Sequence, residues 1–230
     1  FRISSWEPEG VDEDFLEVFA HPRIRPHLHL PIQSGSDELL RSMGRAYRRD
    51  KVISSCEALR RVKGDLFIAA DLMAGYPGES EDDFAATVDL ARRCDLAWIH
   101  AFPFSPRPGT RAWDLSPQVG ARDREARVTE LRALAWLGRR KYLGRQSGSL
   151  VEAVLEAGAR VEGRSRATSS NYLRLLVEDL PAQALRGRGI LCRLAGEVIS
   201  SSNVLIKTSL DELGEVDSVA SFVSMVETGG

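Results

Sequence analysis

The sequence has little cysteine and spaces it poorly for metal binding. Cys56, Cys94 and Cys192 are its three cysteines, and they stand far apart. With no C-x-x-C or C-x-x-x-C pairing, nothing reads as a zinc or iron–sulfur site. Cys56 and Cys94 fall in helix-like segments, where a buried free thiol is the ordinary role. Together with the absence of a secretion signal, this suggests a reducing, cytoplasmic setting. Long apolar runs are also missing: no stretch approaches the ~20 apolar residues that cross a bilayer. No initiator Met is present either. Phe1-Arg2-Ile3-Ser4-Ser5 reads as the middle of a strand, which leads us to expect a missing upstream segment. Repeats and low-complexity segments are absent.

Strong net charge is lacking too. The formal balance is −2, so the whole chain does not advertise nucleic-acid binding. Its distribution is more informative. Residues 121–144 carry seven Arg/Lys against three Asp/Glu, and residues 145–208 carry nine against six. The last stretch, 209–230, holds five acidic residues and no basic one. The basic section is suited to phosphate, although a solvated basic helix explains 121–144 equally well.

What is present is an alternation of strand and helix. Apolar runs at Arg2–Ser5, His27–Ile32, Leu66–Ala74 and Leu96–Phe104 alternate with helical patterns near 11–20, 36–62 and 81–93. This spacing predicts parallel βα units. The near-continuous apolar run Leu66–Ala74 predicts a strand covered on both faces. Ser80 before Glu81, Asp82 and Asp83 marks a capped helix start, and Ser36 before Asp37 and Glu38 marks another. Both follow glycine turns after strands, the edge at which α/β folds bind ligands. A long helix at about 121–144 comes next. Short strands near 148–157, 160–166, 172–177, 189–195 and 203–206 follow, with turns at Gly158, Gly163, Asn171, Gly187 and Asn203, and predict a small antiparallel barrel. Val219, Phe222, Val223 and Val226 are spaced as in a short helix.

Three constellations carry chemistry. His27 and His29 share a strand face and, with Asp71 and His100, suit a metal-dependent hydrolase; hydrogen-bonded barrel histidines are the plainer reading. Gln33, Ser34 and Ser36 sit at a strand end and suit a ribose or carboxylate, though turn and cap chemistry alone explains Gly35 and Ser36. Gly75 and Gly78 allow close backbone approach or a tight turn, without the lysine and spacing of a phosphate loop.

Taken together, the motifs resemble the radical-SAM methylthiotransferase family. The resemblance is carried by Arg2-Ile3-Ser4-Ser5-Trp6-Glu7-Pro8, by His27-Leu28-His29-Leu30-Pro31-Ile32-Gln33-Ser34-Gly35-Ser36, and by Leu39, Met43, Arg45 and Tyr47. It continues through Asp71-Leu72-Met73-Ala74-Gly75-Tyr76-Pro77-Gly78-Glu79-Ser80, Asp83-Phe84 and Phe102–Thr110. It implies an α/β fold: a partial radical-SAM (βα) barrel with its linking helix, strands three to six, over residues 1–144. A small antiparallel β-barrel of the RNA-binding TRAM type would follow over 145–208, then an acidic tail over 209–230.

Ser4–Pro8 and His100–Ser105 are most similar to one branch of the family. That branch adds a methylthio group to C2 of threonylcarbamoyladenosine, 3′ of the anticodon in tRNA. The implied cofactors are S-adenosyl-L-methionine (SAM) and two [4Fe–4S] clusters. One cluster is held by a C-x-x-x-C-x-x-C loop, and reductive cleavage of the SAM bound there yields a deoxyadenosyl radical. Neither set of cluster cysteines is present, so the resemblance implies that this chain does not perform the reaction alone. It also implies that Gln33, Ser34 and Ser36 lie near the SAM ribose, that Gly75, Tyr76 and Pro77 lie near the adenine, and that Phe104 and Ser105 cap the pocket. The implied partner is tRNA, with Arg160, Arg164, Arg166, Arg174, Arg186 and Arg188 as phosphate contacts. A cluster-free RNA-binding protein is the other reading of the same residues.

Overall fold

The computed structural model describes residues 1–156, 163–177, 189–198 and 205–210. The chain divides into two units, Phe1–Tyr142 and Leu143–Gly230. The tail from 211 onward lies outside the described residues, as do Gly158, Gly187 and Asn203.

The first unit is a three-stranded parallel sheet in the order β1 (His27–Gln33), β2 (Phe67–Ala74), β3 (Trp98–Pro103). Among the described residues the helices are α1 (Glu13–Ala20), α2 (Asp37–Ser42), α3 (Arg49–Val62), α4 (Glu81–Arg93), α5 (Arg111–Asp114) and α6 (Ala121–Gln146), with a short 3-10 helix at Pro8–Gly10. Alternate strand residues point to opposite faces. Leu28, Leu30 and Ile32 of β1, Ile68, Ala70 and Leu72 of β2, and Ile99 of β3 enter one core with Phe19 of α1, Val52 and Leu59 of α3 and Val88 of α4. Each fully buried Leu or Ile there contributes about 2 kcal/mol of transfer free energy.

The other sheet face carries His27, His29, Asp71, Met73 and His100. At its lower end Phe67 is covered by Tyr142 edge-on at 5.0 Å and by the Arg139 guanidinium at 5.2 Å. Asp71 and Met73 are only half-buried. So β2 is covered on both faces over Phe67–Ala70 alone, not along its whole length as its composition suggested.

Two further expectations need correction. Arg2–Ser5 forms no strand. Isolated bonds flank it, Trp6 N to His29 O at 3.0 Å and Arg25 N to Phe1 O at 2.8 Å, without building a ladder. The helical pattern over 36–62 is two helices. Gly44 adopts φ +75 between them, a conformation that glycine enters without steric cost. The β1–β2 register also shifts between Leu30 and Gln33, where Pro31 has no N–H to give the ladder.

The second unit is a closed barrel with strand order β4 (Leu150–Leu155), β5 (Ser165–Ser169), β6 (Arg174–Val177), β8 (Leu205–Leu210), β7 (Gly189–Val198). Four of its pairs are antiparallel, and β6 with β8 is parallel. Val151, Ala153, Leu155, Ala167, Leu175, Cys192 and Leu194 are buried.

Candidate functional site at the carboxyl ends of the strands

Because β1, β2 and β3 run parallel, the loops that follow them share one edge of the sheet. β1 ends on Gln33, which is buried yet holds φ +71. A left-handed backbone in a non-glycine residue is costly and marks a position over-determined by its surroundings. The side-chain amide of Gln33 donates to Pro31 O at 3.3 Å. Beyond it, Ser34 Oγ lies 3.2 Å from Thr87 Oγ1, Gly35 N donates to Thr87 Oγ1 at 2.9 Å, and Ser36 N donates to Ser34 Oγ at 3.1 Å. Gly35 is required sterically: a Cβ there would stand 2.4 Å from Ala86 O.

Ser36 caps α2 by accepting from Leu39 N, and donates to Asp83 Oδ1 at 2.5 Å. The other carboxylate oxygen of Asp83 accepts from Ser80 Oγ at 2.6 Å and from Ser80 N at 3.0 Å, closing the capping box of α4. Burial would raise the Asp83 pKa, but the hydrogen bonds from Ser36 and Ser80 outweigh it and hold the carboxyl below its ordinary value. Ser34 and Ser36 are thus engaged with α4.

The loop after β2 holds Gly75 (φ +80), Tyr76 and Pro77, all buried. Tyr76 meets Phe104, from the end of β3, edge-on with ring centroids 5.3 Å apart. Phe104 N donates to Ala74 O at 2.8 Å, and Arg124 of α6 donates to Phe104 O at 3.2 Å. Tyr76 also reaches α2, its hydroxyl 3.4 Å from Ser42 Oγ. Ser105 is exposed beside them. Gly75, Tyr76, Pro77 and Phe104 therefore form one wall, with Ser105 at its rim.

Glu79 and Arg127 are the residues the sequence reading missed. The Glu79 side chain is fully buried; Oε2 accepts from Gly75 N at 2.6 Å and from Arg127 Nη1 at 2.7 Å. Its Oε1 is buried without a partner. Burial pushes the Glu79 pKa up, against the pull of those two bonds. Burial would lower that of Arg127, but bonds to Glu81 and Glu79 carry it above the usual value. This pair braces the loop after β2 against α6. Glu79 was visible in its motif, but nothing in the sequence connects it to a residue 48 positions away.

On the open sheet face, His29 Nε2 lies 3.0 Å from Asp71 Oδ1, and the His29 ring stacks on His100 at 5.3 Å. His27 stacks on Phe67 at 5.6 Å; burial, then Arg2 and His29, lower its pKa to about 4. Burial and His29 lower that of His100 as well. Among the described residues, no group of three or more His, Cys, Asp or Glu side chains is placed to hold a metal ion. His27, His29, Asp71 and His100, the set of the hydrolase reading, are thus not gathered as a metal site there. Cys56 and Cys94 are buried; the interaction with Cys94, then burial, pushes Cys56 well up, while Cys192 lies in the barrel. The described residues do not fit an iron–sulfur cluster.

In the barrel, Arg166 of β5 and Arg174 of β6 are exposed, and Arg164 is partly buried. Arg160, Arg186 and Arg188 lie outside the described residues. Arg193 of β7, which the sequence reading did not select, is also exposed and donates to Gly148 O at 2.9 Å.

Comparison with known proteins assigns this arrangement. Residues 3–91 match the Radical SAM superfamily. A threonylcarbamoyladenosine tRNA methylthiotransferase of Treponema pallidum is 39% identical over 197 residues, 85% of this chain and 40% of its own length. The chain belongs to the radical-SAM methylthiotransferase family. A tRNA-2-methylthio-N(6)-dimethylallyladenosine synthase of Frankia alni is 37% identical over 174 residues, 72% of this chain and 35% of its own. The chain thus spans well under half the length of these relatives. Its fold is similar to that of coproporphyrinogen III oxidase of Escherichia coli, with a TM-score of 0.51 at 16% identity over 60% of this chain and 32% of the other. The radical-SAM methylthiotransferases are transferases that use SAM and a [4Fe–4S] cluster. No helix among the described residues is long and apolar enough to cross a membrane.

Proposed function

We propose that this chain serves a cytoplasmic tRNA methylthiotransferase that places a methylthio group on C2 of threonylcarbamoyladenosine, 3′ of the anticodon. The observation that carries this reading is the 39% identity over 85% of the chain to a relative of that specificity. The aromatic wall of Tyr76 and Phe104, with Gly75 and Pro77, suits the adenine of SAM. Gln33 is the proposed neighbour of the SAM ribose and Ser105 caps the pocket with Phe104, while Ser34 and Ser36, bonded to α4, support the Gln33 loop. The family's SAM is anchored by a cluster, which these residues do not hold; two clusters are the number we assign to the complete enzyme. Arg164, Arg166 and Arg174, with Arg160, Arg186 and Arg188, are the proposed contacts to tRNA phosphates.

Disruption of the gene followed by nucleoside analysis of total tRNA tests the assignment. Loss of 2-methylthio-threonylcarbamoyladenosine, with accumulation of threonylcarbamoyladenosine, is the expected result. Loss of the methylthio-isopentenyl nucleoside instead would move the chain to the sister specificity. Unchanged tRNA would leave the cluster-free RNA-binding reading, which the arginine-bearing barrel favours.

A further inference from the structure

The turn between β5 and β6 presents one aromatic ring on a strained but tightly held backbone. Tyr172 has φ +67 and is 48% exposed. An L-residue with a large side chain takes that conformation only where surrounding bonds impose it.

Here they do. Ser169 is fully buried and Asn171 nearly so. Ser169 N donates to Leu173 O at 2.9 Å, Leu173 N to Ser169 Oγ at 2.8 Å, and Tyr172 N to Ser169 O at 3.0 Å. Ser169 Oγ donates to Asn171 Oδ1 at 2.5 Å, and Asn171 Nδ2 donates to Gln146 Oε1 at 3.1 Å. Ser170 N donates to Glu152 O at 2.7 Å, tying the turn to β4. None of these bonds needs a tyrosine at 172; asparagine or glycine suits a left-handed turn position better.

Around the turn exposed and buried residues alternate from Tyr172 to Leu175, and Leu176 and Val177 beyond are both buried. Leu173 and Leu175 are fully buried, whereas Tyr172 and Arg174 are exposed. Arg174 stands opposite Thr168 of β5, and Arg166 lies two residues further along the same face of that strand. The charge there is not purely basic, since Glu156 accepts from Thr168 Oγ1. An exposed ring on a turn held in this way, between strands that carry the exposed Arg166 and Arg174, suits an unpaired nucleobase, the ring by stacking and the arginines by phosphate contact.

We propose that Tyr172 is a stacking platform for an unpaired base of the RNA bound by this barrel. The proposal rests on the tRNA reading above and adds a residue and a mode of contact to it. It predicts preference for a loop or single strand over a paired helix, because a paired base offers no free face.

The test measures affinity of the whole chain for two probes: an unmodified anticodon stem-loop and a fully paired RNA duplex of equal length. Tyr172→Gly is expected to weaken stem-loop binding by roughly 5- to 150-fold, the range of one lost stacking contact. Duplex binding should stay within about twofold, since arginine contacts to phosphate remain. Tyr172→Trp should restore stem-loop affinity. The backbone bonds that hold the turn do not involve the ring and glycine accepts the left-handed backbone, so Tyr172→Gly should stay folded; a melting curve recorded beside the titration separates lost binding from unfolding. Equal stem-loop affinity of wild type and Tyr172→Gly, with both binding, would overturn the platform. Failure of the wild type to bind either RNA would instead overturn the tRNA reading beneath it.

Discussion

Arg127→Met is a demanding test of how the site is held. Arg127 and Glu79 are 2.7 Å apart with side chains 8% and 0% exposed, so water compensates neither charge. The substitution leaves a carboxylate in the interior with only Gly75 N as a bonding partner. Removing one member of such a pair costs roughly 3–5 kcal/mol. Glu79→Gln/Arg127→Met should recover more than half of that loss. The amide oxygen still accepts from Gly75 N, and no uncompensated charge remains.

The pH dependence has a definite sign. Glu79 has a folded pKa above its ordinary value. In the window between those two values the folded state binds more protons, so this group's contribution to stability falls as pH rises. The Arg127→Met deficit is therefore largest near neutral pH and shrinks on acidification into the ordinary carboxylate range. Urea unfolding followed by tryptophan fluorescence, with Trp98 and Trp136 in contact at 5.8 Å, reads the first unit directly. A loss below about 1 kcal/mol, or a double substitution that is no better than the single, would refute the argument.

Three other outcomes follow from the same geometry. Gly35→Ala should destabilise by at least about 2 kcal/mol in chemical denaturation, because its Cβ meets the backbone of α4, whereas Gly64→Ala, with nothing within 4 Å, should not. His27, lowered to about 4 from an ordinary 6.5, binds fewer protons folded than unfolded, so stability falls as pH drops through that window. About 2 kcal/mol should be lost by about pH 5, and His27→Phe should flatten that slope in thermal melts. Phe104→Ala should weaken any SAM affinity of the protein, measured calorimetrically, while Phe104→Tyr retains it; equal affinity in Phe104→Ala would remove Phe104 from the pocket.

The legible parts of the fold were those with strong local signals. The alternation in His27–Ile32, the apolar run of β2 and the capping box at Ser80 each state their structure within a few residues. Arg2–Ser5 has strand-like composition but no partner ladder, which composition does not encode. The break at Gly44 lay inside a continuous helical pattern. β5, with the sequence Ser165-Arg166-Ala167-Thr168-Ser169, has one inward apolar residue and so was placed several positions too early. At the site, positions were readable and partnerships were not. Ser36 was recognisable as a cap, but its bond to Asp83 spans 47 residues. The φ of Tyr172 is imposed by a buried Ser–Asn network that no local rule anticipates.

Asp83 has a consequence for how the sheet edge behaves mechanically. One carboxylate holds the cap residues of two helices, one oxygen on Ser36 and the other on Ser80. The loops after β1 and β2 are thereby geared together rather than independently hinged. The Ser34 and Gly35 bonds to Thr87 run beside this link, so a shift of the α4 amino terminus reaches the strained Gln33 backbone through side chains, with no need for the strands to move. Asp83→Ala would loosen this coupling to the Thr87 bonds alone, and hydrogen exchange at Ser36 and Ser80 would then proceed at less similar rates.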